Sequence, residues 1–465
     1  MQLKTQETIP HKMIKQNADT LTPIGIYKGL RGVKKFLLES SFEHEEKGKF
    51  SFIGANPYEE IISKEGRTTI IDHESQTTEQ QEQPALSILQ QYMPKQEVDL
   101  PFPFVGGAIG YIGYDSIRSY EQIGEVLEDE LDMPDIHLML YKNVIVFDHS
   151  DESVYLITLN PDDHPEHILD KRLAELKKSL TTSSTVETFD DEAVHFTPDM
   201  NKQEFMQNVE TAKEHIINGD IFQVVLSQRM KANFTGDPFS FYRKLRKANP
   251  SPYMFYIDFN DYLILGASPE SLIQTTGRNV ITNPIAGTRP RGKTKQEDQA
   301  HIDDLLRDEK EIAEHNMLVD LSRNDIGRIC EPNSISIPIY MGIEKYQHVM
   351  HMVSEVHGKL RADLSSIDAL ISCLPAGTVS GAPKIRAMQI INDLEEKKRG
   401  AYGGGIGYIN VNHDLNMALT IRSLVVKDHQ AYLQTGAGIV YDSVPENEYN
   451  ETLHKAKSLM EVNKL

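Results

Sequence analysis

The spacing of hydrophobic and polar positions in residues 1–180 predicts a segment rich in β-strands. Short runs alternate apolar and polar side chains, which is typical of strands with one buried face. Apolar residues at helical spacing predict a single helix near the end of this segment. The predicted strands are 48–54, 68–72, 135–148 and 153–159, the helix is 168–180, and residues 76–84 form a polar exposed loop.

The pattern after residue 197 mixes helices and strands without strict alternation of the two. Such a mixture favours an α+β architecture with large antiparallel sheets. The predicted strands are 221–228, 253–259, 262–267, 406–410, 417–426 and 431–435. The predicted helices are 197–218, 238–249, 296–328, 367–373, 382–394 and 446–463.

Residues 181–197 are polar and acidic, and they are the best linker candidate in the chain. They divide it into an N-terminal β-rich segment, 1–180, and a C-terminal segment, 197–465. A glycine-aromatic phrase occurs once in each segment, as Gly106-Gly-Ala-Ile-Gly-Tyr111 and as Gly404-Gly-Ile-Gly-Tyr408. The repeated phrase hints at related strands in the two segments.

Composition restricts the classes of partner. The net charge of −21 argues against nucleic acid and against an anionic membrane surface, which both need basic patches. No run approaches the roughly 18 apolar residues of a membrane span, so we expect a cytoplasmic protein. An acidic protein with an anionic substrate has to offset its own field locally, with arginines or a bound cation.

A glycine-rich turn follows the strand-like residues 279–282. Gly287 to Thr294 matches the G-x-x-x-x-G-K-[ST] pattern of phosphate loops. Pro290 has no N–H to offer a phosphate, and two bulky arginines flank it. A nucleotide-binding protein is therefore kept as the alternative from a different class.

Two predicted helices carry a Glu-x-x-Glu pair, Glu311 with Glu314 and Glu448 with Glu451. A spacing of three places both carboxylates of a pair on one helix face. Two such faces together suit Mg²⁺, which prefers a few carboxylates with water and substrate oxygens. The alternative for each pair alone is a solvated acidic surface.

Two further residues suggest chemistry. Arg422 lies in an otherwise apolar run, where a buried arginine needs a carboxylate or phosphate partner, and an internal salt bridge is the alternative. His351 lies between apolar neighbours, which more often indicates a core histidine. It is nevertheless the best general-base candidate near neutral pH.

Several phrases in the same order resemble the chorismate-utilising enzymes, and among them the large subunits of anthranilate synthase. The resemblance runs from about residue 197 to 465 and more loosely over 20–180. It implies a β-sandwich-like core with helices packed outside. The phrases are Ile221-Phe-Gln-Val-Val-Leu-Ser-Gln, Ser268-Pro-Glu, Pro284-Ile-Ala-Gly-Thr-Arg-Pro-Arg-Gly, Asp308-Glu-Lys-Glu-x-x-Glu-His, Leu318-Val-Asp-Leu-Ser-Arg-Asn-Asp, Gly381-Ala-Pro-Lys, Tyr402-Gly-Gly and Gly436-Ala-Gly.

The resemblance implies roles for matched positions in a C-terminal chorismate-binding domain, 197–465. Glu270 would be the general acid on the C4 hydroxyl and His351 the base for the C2 proton, in a reaction of chorismate with ammonia that gives anthranilate and pyruvate. Residues implied to line the chorismate site are Gln223, Thr378, Gly287, Thr288, Tyr402, Arg422, Ala437, Gly438 and Lys455. The implied Mg²⁺ ligands are Glu314, Glu451, Glu311 and Glu448.

Two positions separate the branches of the family. Relatives that add water, such as isochorismate synthases, carry a lysine where this chain has Gln223. Aminodeoxychorismate synthases typically carry a lysine where this chain has Ala286. The resemblance therefore favours anthranilate formation, with those two activities as alternatives.

The resemblance also implies regulation and a partner. A tryptophan site would lie between the segments, with the N-terminal domain, 1–180, contributing to it. Its residues would be Glu39, Ser40, Pro252, Tyr253, Met254, Ile406 and Tyr408. Because neither cysteine lies in a context that suits glutamine hydrolysis, a separate glutamine amidotransferase subunit would supply ammonia. A non-catalytic tryptophan sensor is a further alternative.

Overall fold

The computed structural model describes residues 8–40, 49–180, 194–346 and 349–462. Two twelve-stranded sheets, with antiparallel pairing between their strands, form the body of the molecule, and helices cover the outer faces. The α+β prediction with large antiparallel sheets is thus confirmed. No helix within the described ranges is long and apolar enough to cross a bilayer.

The first sheet has the strand order β1-β10-β9-β3-β2-β13-β14-β23-β24-β12-β11, with β20 paired to β12. Its strands are β1 (His11–Asn17), β2 (Phe36–Glu39), β3 (Phe50–Gly54), β9 (Asn143–Asp148), β10 (Ser153–Leu159), β11 (Thr197–Pro198), β12 (Gln223–Asn233), β13 (Tyr253–Asp258), β14 (Tyr262–Ser268), β20 (Gly381–Ala382), β23 (Ser423–Lys427) and β24 (Gln430–Ile439).

The second sheet has the order β17-β19-β16-β15-β22-β21-β7-β8-β4-β5-β6, with β18 paired to β19. Its strands are β4 (Glu59–Lys64), β5 (Arg67–Asp72), β6 (Thr77–Gln81), β7 (Gly107–Ile112), β8 (Ile136–Tyr141), β15 (Ser271–Thr276), β16 (Asn279–Thr282), β17 (Ile285–Pro290), β18 (Ser336–Lys345), β19 (Val349–Lys359), β21 (Gly405–Asn410) and β22 (Leu415–Leu419).

The helices are α1 (Pro23–Gly29), α2 (Ala85–Tyr92), α3 (Glu166–Ser179), α4 (Lys202–Ile217), α5 (Pro238–Ala248), α6 (Lys295–Leu305), α7 (Glu309–Gly327), α8 (Ser366–Cys373), α9 (Lys384–Leu394) and α10 (Pro445–Met460). Short 3₁₀ turns lie at Tyr114–Ser119 and Gly377–Val379.

The core between the sheets is apolar and draws on both of them. Phe255 and Ile264 of the first sheet belong to the same buried cluster as Ile109, Ile406 and Tyr408 of the second. Separate apolar clusters lie between each sheet and its outer helices. The result is a sandwich with three apolar layers, in agreement with the predicted β-sandwich-like core.

Both sheets continue across the predicted boundary at residues 181–197. Strand β2 of the N-terminal segment pairs with β13 of the C-terminal segment, and β7 pairs with β21. The two segments are therefore interleaved within shared sheets. Most of the predicted linker, residues 181–193, lies outside the described residues, and the division into regulatory and catalytic segments stays a prediction.

The two glycine-aromatic phrases lie side by side in the β7–β21 pair, with Gly110 opposite Gly407. A β-carbon on Gly110 would lie 1.9 Å from the His137 carbonyl oxygen, and one on Gly407 would lie 2.2 Å from the Asn416 carbonyl oxygen. Neither position has room for a side chain, which explains why glycine recurs at both.

Several predicted element boundaries are wrong. The predicted loop 76–84 contains strand β6, and the run 135–148 is two strands, β8 and β9. The predicted helix 296–328 is two helices because Asp308 accepts hydrogen bonds from the N–H groups of Lys310 and Glu311 and starts α7 afresh. The run 417–426 is also two strands, and Arg422 lies between them with φ of 51°.

Candidate active site

The predicted site residues converge where the chain crosses from one sheet to the other. Glu270 lies between β14 of the first sheet and β15 of the second, and Arg422 lies between β22 and β23. The Leu419 N–H donates to the Glu270 carbonyl oxygen, and the Ala267 N–H donates to that of Arg422. Two adjacent crossovers therefore place an acid and a cation at one end of the sandwich.

Glu270 is a buried carboxylic acid with one hydroxyl partner. The Thr378 hydroxyl donates to its Oε1 at 2.7 Å. Burial raises the pKa of Glu270 to about 7, although the Thr378 hydrogen bond and the charge of Lys455 both lower it. Glu270 can consequently hold a proton near neutral pH, as a general acid must.

His351 is held in one orientation by strand β17. Its Nδ1 lies 2.9 Å from the Gly287 carbonyl oxygen and 3.1 Å from the Thr288 hydroxyl. A carbonyl oxygen only accepts, so Nδ1 carries the proton and Nε2 is the nitrogen that can accept one. Burial lowers the pKa of His351, and the neutral base therefore predominates near neutral pH.

Gly287 lies on β17 next to Glu311, one of the predicted metal ligands, and only glycine fits there. Its φ is 69°, and a β-carbon there would lie 3.1 Å from Glu311 Oε2. Any other residue would be strained in this conformation and would push against the carboxylate.

Arg422 is half-buried and has no carboxylate partner among the described residues. Its Nη1 donates to the Ser458 hydroxyl at 3.1 Å, and none of the ion pairs found in the described part of the chain includes it. Burial lowers the pKa of its guanidinium, the sign that desolvation is not offset by an anion of the protein. The internal salt bridge that we kept as an alternative is therefore absent among the described residues.

Tyr402 and Lys455 adjoin Gly436 on β24. A β-carbon on Gly436 would lie 2.8 Å from the Tyr402 hydroxyl, and Lys455 Nζ donates to the Gly436 carbonyl oxygen at 3.0 Å. Together with Arg422, they form a group of one phenol and two cationic side chains. We call the region that contains these residues, Glu270 and His351 the cleft.

Gln223 begins β12, the neighbour of β24 in the first sheet. Its Nε2 lies 3.4 Å from Glu314 Oε1, and a β-carbon on Gly438 would lie 2.5 Å from that Nε2. Ala437 differs, because its methyl group belongs to the apolar cluster beneath α4 and α9. Ala437 can therefore meet a ligand only through its backbone.

The four predicted metal ligands come from α7 and α10. Burial raises the pKa of Glu314, and the neighbouring charges of Glu311 and Glu451 raise it further. Basic side chains offset part of this negative charge, since Arg289 Nη1 lies 3.2 Å from Glu311 Oε1 and Lys455 Nζ lies 2.7 Å from Glu451 Oε1. Carboxylates that repel one another suit a divalent cation with a preference for oxygen, but among the described residues no three of these four bring ligand atoms within 4.8 Å of one another.

The structure excludes a phosphate loop at Gly287–Thr294. Residues up to Pro290 belong to strand β17, and carboxylates already occupy the backbone donors that follow. The Gly292 N–H donates to Asp298 and the Lys293 N–H donates to Glu297, at 2.7 and 2.6 Å. No set of free N–H groups is left here to cradle a phosphate, so the nucleotide-binding alternative is wrong.

The predicted tryptophan residues surround the β2–β13 pairing. Tyr253 packs against the cluster between the sheets that contains Ile406 and Tyr408. Pro252 precedes Tyr253 in sequence, Ser40 follows Glu39, and both are half-buried. Glu39 and Met254 face the other way. The Glu39 carboxylate accepts a hydrogen bond from Tyr242 of α5, so these two residues would meet a ligand between the sheets through their backbone.

Comparison with known proteins agrees with this geometry. The sequence profile of the chorismate binding enzyme family matches residues 34–461. Anthranilate synthase component 1 of Lactococcus lactis is 46% identical over 96% of this chain and 98% of its own, and that of Acetivibrio thermocellus is 44% identical over 95% and 93%. The chain belongs to the anthranilate synthase component 1 group of the chorismate-binding enzyme family.

Solved structures agree with this assignment to the chorismate-binding enzymes. The crystal structure of anthranilate synthase component I from Streptococcus pneumoniae covers 96% of this chain and 98% of its own at 43% identity, with a TM-score of 0.83. The menaquinone-specific isochorismate synthase of Escherichia coli, at 18% identity and a TM-score of 0.73 over 99% and 96%, shows the shared fold alone.

One acidic group away from the cleft has the spacing of metal ligands but a simpler explanation. Glu74, Asp162 and His164 bring three ligand atoms within 4.8 Å of one another. Lys142 Nζ contacts Glu74 at 2.8 Å and Asp162 at 2.6 Å, so a lysine already neutralises this chorismate-binding enzyme's surface cluster.

Arg399, which no sequence pattern indicated, holds three parts of the site together. Its guanidinium pairs with Glu395 and donates to the carbonyl oxygens of Val379 and Val225, next to the Thr378 turn and on β12. It also lies over the rings of Tyr114 and Tyr402. The one available signal was its position three residues before Tyr402, the start of the Tyr402-Gly-Gly phrase, directly after two lysines.

Proposed function

We propose that the chain converts chorismate and ammonia to anthranilate, pyruvate and water. The observation that carries the proposal is the half-buried Arg422, which has no carboxylate partner among the described residues, in a cleft that also holds the protonatable Glu270 and the neutral base His351. A carboxylate of the substrate supplies the anionic partner that Arg422 lacks. The close relatedness to anthranilate synthase components 1 favours this member of the family.

The two carboxylates of chorismate would bind at separate sections of the cleft. Arg422 and Tyr402 would take the enolpyruvyl carboxylate, because a guanidinium can form two parallel hydrogen bonds with it. The ring carboxylate would lie toward Gly287, Thr288 and Gly438, near the carboxylates of α7 and α10. Mg²⁺ held by Glu314 and Glu451, with Glu311 and Glu448 in support, would neutralise the ring carboxylate there.

The first step would be addition of ammonia. The ammonia nitrogen attacks C2, the ring double bonds shift, and the C4–oxygen bond breaks. Glu270 gives its proton to the C4 oxygen, which departs as water, while the new ammonium group at C2 loses a proton. Gln223 is neutral, so it can orient ammonia without the base that a water nucleophile would need.

The second step would be elimination. His351 Nε2 takes the proton from C2, the bond between the ring and the enolpyruvyl oxygen breaks, and the ring becomes aromatic. The departing enolpyruvate gains a proton at its methylene carbon and becomes pyruvate. Thr288 and the Gly287 carbonyl oxygen keep the imidazole in the required tautomer throughout.

The same proposal includes a partner and a regulator. A glutamine amidotransferase subunit, component II of the synthase, would supply ammonia in a cytoplasmic complex. L-tryptophan would inhibit by binding between the segments near Ser40 and Tyr253 and shifting an equilibrium between two arrangements of the sandwich. The presence of an acid, a base and a cation site in one cleft favours an enzyme over a sensor.

The test is a fluorescence assay of the purified chain with chorismate, MgCl₂ and ammonium chloride at mildly alkaline pH. We expect anthranilate fluorescence that disappears with EDTA and decreases with tryptophan. Consumption of chorismate without anthranilate would move the assignment to the aminodeoxychorismate or isochorismate branch, and chromatography of the product would decide between them. A folded sample that consumes no chorismate would contradict the proposal.

A further inference from the structure

A cavity adjoins the two residues that share a proton in the cleft, Glu270 and Thr378. It has about 370 Å³ of empty space, counting its open mouth, and it lies between α7, the start of β15 and the turn from β16 to β17. Polar groups make up much of its wall, among them Ser271, Thr282 and Ser322. The cavity therefore offers a polar space that leads from Glu270 toward the half-buried surface at Ser322.

Two hydroxyl groups in this wall have no protein partner. Ser271 Oγ and Thr282 Oγ1 are both buried, and neither makes a hydrogen bond to another described residue. Buried hydroxyl groups are nearly always paired, and ordered water is the usual partner when the protein supplies none. Only about 30 Å³ of this space admits a water-sized sphere, which is enough for one or two water molecules.

The proposed reaction creates a need that such a space can meet. Glu270 loses a proton to the C4 oxygen in every turnover and has to regain one before the next. The C4 oxygen also leaves as a water molecule that must depart from a cleft filled by substrate. Thr378 adds no proton of its own, because a hydroxyl that passes its proton to Glu270 must be resupplied by another neighbour.

We propose that Ser271 and Thr282 organise water in this cavity as the proton-return route to Glu270. Each hydroxyl accepts a proton from one neighbour and passes its own to the next, so neither changes its charge. The Glu270 carboxylate gains a proton, and bulk water at the mouth of the cavity loses one. The proton released by the new amine at C2 restores the balance. This inference rests on the proposed function, in which Glu270 is the acid.

The test removes the hydroxyl groups without changing the shape of the wall. Thr282→Val replaces a hydroxyl with a methyl group of similar size, and Ser271→Ala removes the second hydroxyl. We expect kcat with chorismate and ammonia to fall about tenfold in each, within the contribution of general acid catalysis. KM for chorismate should stay within twofold, since neither hydroxyl meets the substrate. The solvent deuterium isotope effect on kcat should increase as reprotonation becomes rate-limiting.

Thr158→Val is the matched control, because Thr158 has another buried hydroxyl without a protein partner and lies in β10 of the other sheet. It should keep the wild-type kcat and isotope effect. Ser322→Phe is a second kind of variant, which narrows the mouth and should reproduce the loss of kcat with both hydroxyls present.

The outcomes separate the two proposals. If the wild-type chain forms anthranilate but Thr282→Val and Ser271→Ala keep its kcat and isotope effect, the proton-return route is wrong and the proposed function stands. If Glu270→Gln retains full activity, or the wild type forms no anthranilate, the proposed function itself fails. An equal loss of activity in Thr158→Val would show a general packing effect and would also overturn the route.

Discussion

Glu39 lies directly opposite Met254 where β2 of the N-terminal segment pairs with β13 of the C-terminal segment. The Tyr242 hydroxyl donates to the Glu39 carboxylate at 2.8 Å, and Arg246 Nε lies 3.1 Å from it, so α5 fixes this residue from outside. A ligand bound beside this pairing would contact both segments, because β2 and β13 come from different segments and lie next to each other. The interleaving of the sheets therefore gives a physical route between the predicted tryptophan site and the cleft.

Ser40→Phe tests this regulatory site. A phenyl ring at a half-buried position next to Glu39 would fill space that a tryptophan side chain needs. We expect the tryptophan concentration for half-inhibition to rise at least about tenfold, a change of about 1.4 kcal/mol in binding. Catalysis without tryptophan should be unchanged, because Ser40 is not part of the cleft.

Ser87→Phe, which places the same ring at an exposed position of α2, is the control and should remain sensitive to tryptophan. Unchanged inhibition of the Ser40 variant would show that tryptophan binds elsewhere.

The pH dependence of kcat/KM should follow Glu270 and His351. Glu270 acts in its protonated form, so activity should decrease above its pKa of about 7, by about tenfold for each further pH unit. His351 acts in its neutral form, and its pKa lies below the usual 6.5, so the midpoint of the rising limb should lie below pH 6.5. The measurement requires a constant concentration of free ammonia at every pH.

Glu270→Gln should remove the falling limb and reduce kcat roughly 10²- to 10⁴-fold, the range for loss of a general acid. Glu210→Gln, at an exposed position of α4, should keep the wild-type profile. A falling limb that survives in Glu270→Gln would assign it to another group.

The contrast between Glu270 and Arg422 shows how much the sequence could predict. Glu270 was placed by its Ser-Pro-Glu phrase, and the structure adds the reason for its role, which is burial at a crossover between the sheets. Arg422 was predicted on a strand, because its neighbours are apolar and alternation cannot reveal a break. The chain instead turns there at positive φ to pass from one sheet to the other.

Local sequence patterns could not predict which distant residues contact one another. The pairing of Gly110 with Gly407 joins residues almost 300 positions apart, and the glycine-aromatic phrases hinted at a relation without showing contact. Arg399 shows the same limit, since its carbonyl partners Val225 and Val379 are distant in sequence. Helix α7 was misjudged for a local reason, because Asp308 can act either as an interior residue or as a cap.

Glu314→Gln tests the cation site by direct binding. Replacing this half-buried carboxylate with an amide removes a charged ligand, and we expect the Kd for Mg²⁺ in isothermal titration calorimetry to rise about tenfold or more. The activity lost to EDTA should need correspondingly more MgCl₂ for recovery. Glu309→Gln, which removes an exposed charge from the same helix, should change neither value, and equal effects of the two variants would indicate a general field effect.

Arg422→Met should make the protein more stable while it abolishes activity. Arg422 is half-buried without an anionic partner among the described residues, so its partly desolvated charge costs folding free energy that an apolar side chain of similar length does not. We expect Tm to rise by about 2 °C and kcat/KM for chorismate to fall roughly 100-fold or more, since each hydrogen bond to a charged group contributes about 1.5–3 kcal/mol.

Arg422→Lys keeps the charge but loses the paired donors, and it should recover part of the activity without the gain in Tm. Arg323→Met, at an exposed position of α7, should alter neither quantity. A lower Tm in Arg422→Met would show that Arg422 stabilises the crossover between the sheets. It would then contradict the claim that this arginine costs stability and serves to bind the substrate.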